Sequence, residues 1–123
     1  MGSRARIGWV LVFMALVLGI ASPGFWDLRN LLNLLQQSGV TAILGIGLTF
    51  VILTGGIDLS VGSVLALAGV CAASVAVSTG STVLAVSTGV AVGAAAGFVN
   101  GWVTTKGRIP SFITTLGMMM VAR

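Results

Sequence analysis

From residue 59 to residue 105 the chain carries no charged side chain. That stretch is more than twice the roughly 20 apolar residues a helix needs to cross a bilayer. The remaining composition agrees. Of 123 residues, six are Lys or Arg and two are acidic, both of them Asp; hydrophobic residues make up 57%. Mean hydropathy is +1.16. Soluble domains are about 25% charged, against 7% here. A soluble fold of this size could not cover so much apolar surface with so few polar groups. This excludes an ordinary globular enzyme and a disordered tail. The net charge of +4 forms no basic patch, so nucleic acid is not an expected partner. The chain reads as an integral protein of the lipid bilayer.

The uncharged stretches are residues 7–26, 30–57, 59–105 and 109–122. They predict an all-α polytopic transmembrane bundle, one domain over residues 1–123. Its spans fall near 7–22, 39–54, 59–78 and 82–105, with an incomplete fifth at 112–123. Ser78-Thr79-Gly80-Ser81 supplies the turn between the third and fourth spans. The last run, about 12 residues, covers only about 18 Å as a helix, too little to cross. Between the first two spans, Leu28, Leu31, Leu32, Leu34 and Leu35 alternate with Asn30, Asn33, Gln36 and Gln37. This pattern suits a short helix lying in the membrane interface, capped by Asp27. Gly19-Ile20-Ala21, following Arg4 and Arg6, resembles a signal-peptide cleavage site, but Pro23 opposes cleavage. The first span is therefore expected to stay as an anchor. Arg4 and Arg6 place the N-terminus in the cytoplasm, and Lys106 and Arg108 return to that side after four crossings. Trp9 and Trp102 then lie near the inner interface, and Phe25 and Trp26 near the outer one.

Chemistry is concentrated at Thr54-Gly55-Gly56-Ile57-Asp58-Leu59-Ser60-Val61-Gly62. Two adjacent glycines interrupt a helical run, and Asp58 is the only charge between Arg29 and Lys106. A carboxylate in or beside a span has to be solvated or paired. Asp58 or Ser60 is expected to cap the following helix. Gly55, Gly56, Asp58 and Ser60 are the candidates for a helix break that lines a substrate path; an ordinary cytoplasmic turn is the simpler alternative. Gly89, Gly93, Gly97 and Gly101 recur every four residues, a face that lets another helix approach closely or that borders a channel. Asn100 lies beside this face and is expected to bond across helices. With no His and no Glu, the usual acid–base pairs and metal sites are missing, so no catalytic residue, metal or cofactor is expected. No GxxxxGK[ST] loop is present for ATP. Cys71 reads as a small packing residue.

The run from Leu48 to Ser63 resembles the hallmark segment of ribose-type sugar permeases of ABC importers. Arg108-Ile109-Pro110-Ser111-Phe112-Ile113-Thr114-Thr115-Leu116-Gly117-Met118 and Asn30-Leu31-Leu32-Asn33-Leu34-Leu35-Gln36-Gln37 resemble two further segments, in matching order and spacing. Chains of that family are longer, so the resemblance is to an N-terminal portion. It implies a permease subunit of the bacterial cytoplasmic membrane that performs no covalent chemistry. Its partners would be cytoplasmic ATP-binding subunits, a second permease subunit (the same or a sister chain) and a periplasmic sugar-binding protein. ATP hydrolysis in the partners would drive a monosaccharide across. The alternative is a non-transporting fragment, or a small structural membrane protein that assembles through glycine-faced helices.

Overall fold

The computed structural model describes the backbone of residues 3–123 and side chains from Ala5 onward. The side chain of Arg4, part of the N-terminal basic pair, lies outside the described residues. The described backbone is helical, with five helices: α1 (Ser3–Ala21), α2 (Leu28–Leu53), α3 (Val61–Thr79), α4 (Thr82–Gly107) and α5 (Ser111–Val121). Among these, α2, α3 and α4 are long and apolar enough to cross a membrane; the apolar part of α1 (Ala5–Ala21) and α5 are shorter. Packing divides the chain into two units, residues 1–43 and 44–123.

In the first unit, α1 ends at Ala21 and a turn follows, closed by Phe25 N–H donating to Ser22 O at 3.0 Å. Phe25 and Trp26 stack edge to face, centroids 5.1 Å apart. Asp27 starts the next helix: its Oδ1 accepts from Arg29 N–H at 3.2 Å and its carbonyl from Leu31 N–H at 3.0 Å. The separate interfacial helix expected over the leucine- and amide-rich segment is not separate. It continues through Ser38 and Gly39 into the span, as one helix from Leu28 to Leu53. A single glycine in a helix interior costs only about 1 kcal/mol, less than breaking the hydrogen-bond ladder in apolar surroundings.

In the second unit, α3 and α4 form a hairpin. Gly80, at φ 66°, closes α3 in the left-handed conformation, its N–H donating to Ala76 O at 2.9 Å. That is the expected C-terminal glycine cap. Ser81 then begins α4, its Oγ accepting from Leu84 N–H at 3.4 Å. The α4–α5 link is three residues: Arg108 takes φ 52° and Pro110 precedes Ser111, the first residue of α5.

Large apolar side chains face outward: Phe50 is 67% exposed and Phe98 72%. The buried residues are small or polar, Ala85, Ala96 and Ala122 with Ser60 at 1%, Thr115 at 4% and Asn100 at 8%. An apolar exterior suits lipid as the surrounding solvent, and polar groups then have to find partners inside.

Candidate functional site

The three buried polar residues belong to one site, the break between α2 and α3. Its two glycines have different tasks. Gly55 has φ 76°, and its N–H donates to Ile52 O at 2.9 Å while Gly56 N–H reaches Val51 O at 3.0 Å. That pair of bonds is a Schellman ending, which needs a left-handed residue where Gly55 stands. Gly56 supplies space. A Cβ there would meet Val51 Cγ1 at 3.1 Å and Ser111 Oγ at 3.3 Å.

Beyond the glycines the chain is irregular and its amides no longer have helical partners. Side chains of α5 replace them. Ile57 N–H donates to Ser111 Oγ at 2.9 Å, and Leu59 N–H donates to Thr115 Oγ1 at 3.1 Å. Thr115 returns its own proton to Ser111 O at 2.9 Å, which frees a lone pair for Leu59. Irregular backbone away from water is stable only when such partners exist.

Asp58 and Ser60 do not cap α3 in the ordinary way. Ser60 occupies the position before the helix, but its backbone is already helical (φ −87°, ψ −11°) and its side chain makes no capping bond. A capping residue needs extended backbone to aim its oxygen at the free amides. Ser60 Oγ instead donates to Asp58 Oδ1 at 2.6 Å and accepts from Asn100 Nδ2 at 3.0 Å. Ser60 N–H also donates to Asp58 Oδ1, at 2.8 Å. The result is a chain of bonds from α4 through Ser60 to the carboxylate. Asn100 thus does bond across elements, as expected, and its Oδ1 is left buried without a partner.

Asn100 lies about seven residues before the end of α4, roughly 10 Å of helix rise. Ser60 is bonded to it, so the break runs alongside α4, inside the length of that helix. Two cavities flank it, of about 310 and 510 Å³. The smaller lies against α3 and includes Gly89, Gly93 and Gly97. The larger lies against the break and α5 and includes Gly55, Gly56, Gly97 and Gly101, with Thr104 and Ser111. Asp58, Gly97 and Asn100 line both.

The glycine face of α4 therefore has two kinds of position. A Cβ at Gly89 would touch Ala72 Cβ at 3.4 Å and Ala68 O at 3.5 Å, whereas at Gly93, Gly97 and Gly101 it would meet nothing within 4 Å. Gly89→Leu is expected to push α3 and α4 apart and cost about 1–3 kcal/mol. Gly93→Leu is expected to be neutral or slightly stabilising, since it gains up to about 1 kcal/mol of helix propensity and fills a cavity. Unfolding of the two variants in detergent, followed by helical circular dichroism, distinguishes them; equal losses would contradict the geometry.

Sequence reasoning missed Ser111 and Thr115. Ser111 opens the helix after Pro110 and Thr115 lies one turn further on, positions where hydroxyls usually serve their own helix, and nothing local signals a partner in the break.

Residues 44–123 form apolar helices around a polar helix break that adjoins two cavities, the features of a membrane-embedded helical protein. Sequence comparison gives the class. Residues 30–123 match the family described as branched-chain amino acid transport system / permease component, and the chain belongs to this family of membrane permeases. It is 49% identical to the ribose import permease protein of Escherichia coli over 93% of its own length and 35% of that protein's. It is 39% identical to an L-arabinose ABC transporter permease protein of Azospirillum brasilense, over 96% of the chain and 35% of the relative. A fructose import permease protein of Rhizobium meliloti is 37% identical, over 91% and 32%. The chain thus spans about a third of the length of these relatives. No solved structure matches it.

Proposed function

We propose that the chain is the N-terminal part of one transmembrane permease domain of a bacterial ABC importer, and that it helps carry a monosaccharide across the cytoplasmic membrane. The observation that carries this reading is the polar break itself. Asp58, Ser60 and Asn100 are held together inside an apolar bundle, between two cavities. A polar cluster inside a membrane bundle is costly, needs partners, and marks a solute path by default. The named sugars of the relatives give the solute class.

In this reading Gly55, Gly56, Asp58 and Ser60 form one wall of the substrate path. Cytoplasmic ATP-binding subunits supply the energy, a second permease subunit completes the path, and a periplasmic binding protein delivers the sugar. In this reading α1 is a fourth crossing beside α2, α3 and α4, which puts Arg6, Lys106 and Arg108 on one side and, by their positive charge, in the cytoplasm.

The test is reconstitution. The permease, expressed from its own locus with the neighbouring ATP-binding and sugar-binding subunits, should co-purify with the ATP-binding subunit and give ATP-dependent uptake of labelled ribose, arabinose or fructose in proteoliposomes. Self-association through the glycine face, with no ATP-binding partner and no uptake, would replace this reading with that of a structural membrane protein.

A further inference from the structure

Gly97 has no reason in its own helix. Glycine is the poorest helix former after proline, so a glycine in the interior of α4 calls for an explanation. Two explanations are ordinary, and the geometry removes both. The backbone does not require it: the described glycines with positive φ are Gly55 and Gly80, and Gly97 keeps the conformation that any residue adopts in a helix. Packing does not require it either. A Cβ at Gly97 would meet nothing within 4 Å, whereas one at Gly89 would touch Ala72 and Ala68 of α3. Close approach of α3 and α4 is therefore the task of Gly89 among the glycines of this face.

What surrounds the missing side chain is specific. Gly93 and Gly101 are as open as Gly97, but each lines one cavity and Gly97 lines both. The other residues common to the two cavities are Asp58 and Asn100. Asn100 lies three residues further along α4, on the same face as Gly97. Asp58 is the only charge between Arg29 and Lys106. The space left open at Gly97 thus belongs to cavities walled by a carboxylate and a carboxamide residue. A lipid tail there would desolvate the carboxylate without giving it a partner, and so would an apolar helix. A neutral solute rich in hydroxyls keeps it hydrogen-bonded.

We propose that Gly97 is the clearance residue of the solute site: its missing side chain is the room that a sugar takes up beside Asp58. This rests on the sugar-permease reading above and adds to it the position on α4 that makes the room. A methyl or isobutyl group placed there takes volume from both cavities at once, and binding sites respond steeply to a change of one carbon. Gly97 acts through the absence of contact, so replacing it should impair the site and leave the helix, if anything, firmer. A glycine that serves packing does the reverse, losing stability together with function.

Uptake of ribose, arabinose and fructose by the assembled transporter in proteoliposomes is to be measured first for the unmodified protein, then for Gly97→Ala and Gly97→Leu, with Ala95→Leu as the control. Ala95 is exposed, lies on the opposite side of α4 two residues away and lines neither cavity. For the sugar taken up best, kcat/KM should fall stepwise, about threefold or more in Gly97→Ala and about tenfold or more in Gly97→Leu. Thermal unfolding of both should come no earlier than in the unmodified protein. Ala95→Leu should stay within about twofold. A thiol readout tests the geometry without transport. In a Cys71→Ala background, Gly97→Cys should react with a charged, water-soluble thiol reagent, and Ala95→Cys should not. Unmodified kcat/KM in Gly97→Leu overturns the proposal and leaves the permease reading standing. Loss of uptake with earlier unfolding, or a Gly97→Cys thiol that reacts only with a membrane-soluble reagent, shows that the position packs against a helix or lipid and overturns it too. No uptake of any sugar by the unmodified transporter is a different failure: it removes the permease reading, and the clearance with it.

Discussion

Asp58→Ala is expected to reduce sugar uptake by the assembled transporter roughly tenfold or more, the size of effect seen when a buried hydrogen-bonding group loses its partner in a specific site. Cys71→Ala, a change at a partly exposed residue of α3 outside the break, should leave uptake within about twofold, as for most substitutions remote from a site. The reason lies in the bonds that Asp58 organises. Its Oδ1 accepts both the N–H and the Oγ–H of Ser60. Alanine strips both donors of their acceptor and removes the one charge that faces the cavities. Asp58→Asn separates the two losses, because an amide oxygen can still accept from Ser60 while the charge is gone. Uptake by Asp58→Asn should therefore fall between the other two. The amount of each variant in the membrane has to be measured alongside, so that loss of protein is not read as loss of transport. Wild-type uptake by Asp58→Ala, at wild-type abundance, would remove Asp58 from the path.

The second large effect is expected at α5. Thr115→Val preserves shape but leaves Leu59 N–H with no acceptor beside a residue that is 4% exposed. Losing the acceptor of this part-buried N–H should cost about 1–2 kcal/mol. Ser111→Ala removes the acceptor of Ile57 N–H in an exposed setting, where water can replace it, so the loss should stay below about 1 kcal/mol. Thr115→Ser keeps the oxygen and should recover most of the stability. Thermal unfolding in detergent measures all three. Equal destabilisation by Thr115→Val and Ser111→Ala would show that the contacts of α5 with the break do not carry the difference in burial.

The parts of this architecture that are local were legible in the residues. Gly80 followed by Ser81 ends one helix and begins the next because each acts on backbone groups within about four positions. Gly55 and Gly56 mark the break for the same reason. The links that make the break a site are not local. Asn100 reaches Ser60 across 40 residues, and Ser111 and Thr115 reach Ile57 and Leu59 across 54 and 56. Serine and threonine in apolar helices usually bond to their own backbone one turn earlier, as Thr49, Ser87, Thr88 and Thr105 do. Thr115 looks the same in sequence and differs only in also receiving a bond from outside. The glycine face was ambiguous for a different reason. Absence of a side chain permits close contact, as at Gly89 against Ala72, and equally permits open space, as at Gly93 and Gly97. The leucine and amide pattern of residues 28–37 marks a helix but not where it ends, and the helical ladder runs on through Ser38 and Gly39 into the span.

The short corner between α4 and α5 has a mechanical consequence. Arg108 turns left-handed, Pro110 has a ring-locked φ, and Ser111 already grips Ile57 while Thr115, one turn further on, grips Leu59. Little slack separates the corner from the carboxylate-bearing segment, because α5 holds the residues on both sides of Asp58. A displacement imposed at residues 107–110 is therefore expected to reach residues 57–59 through a single turn of helix.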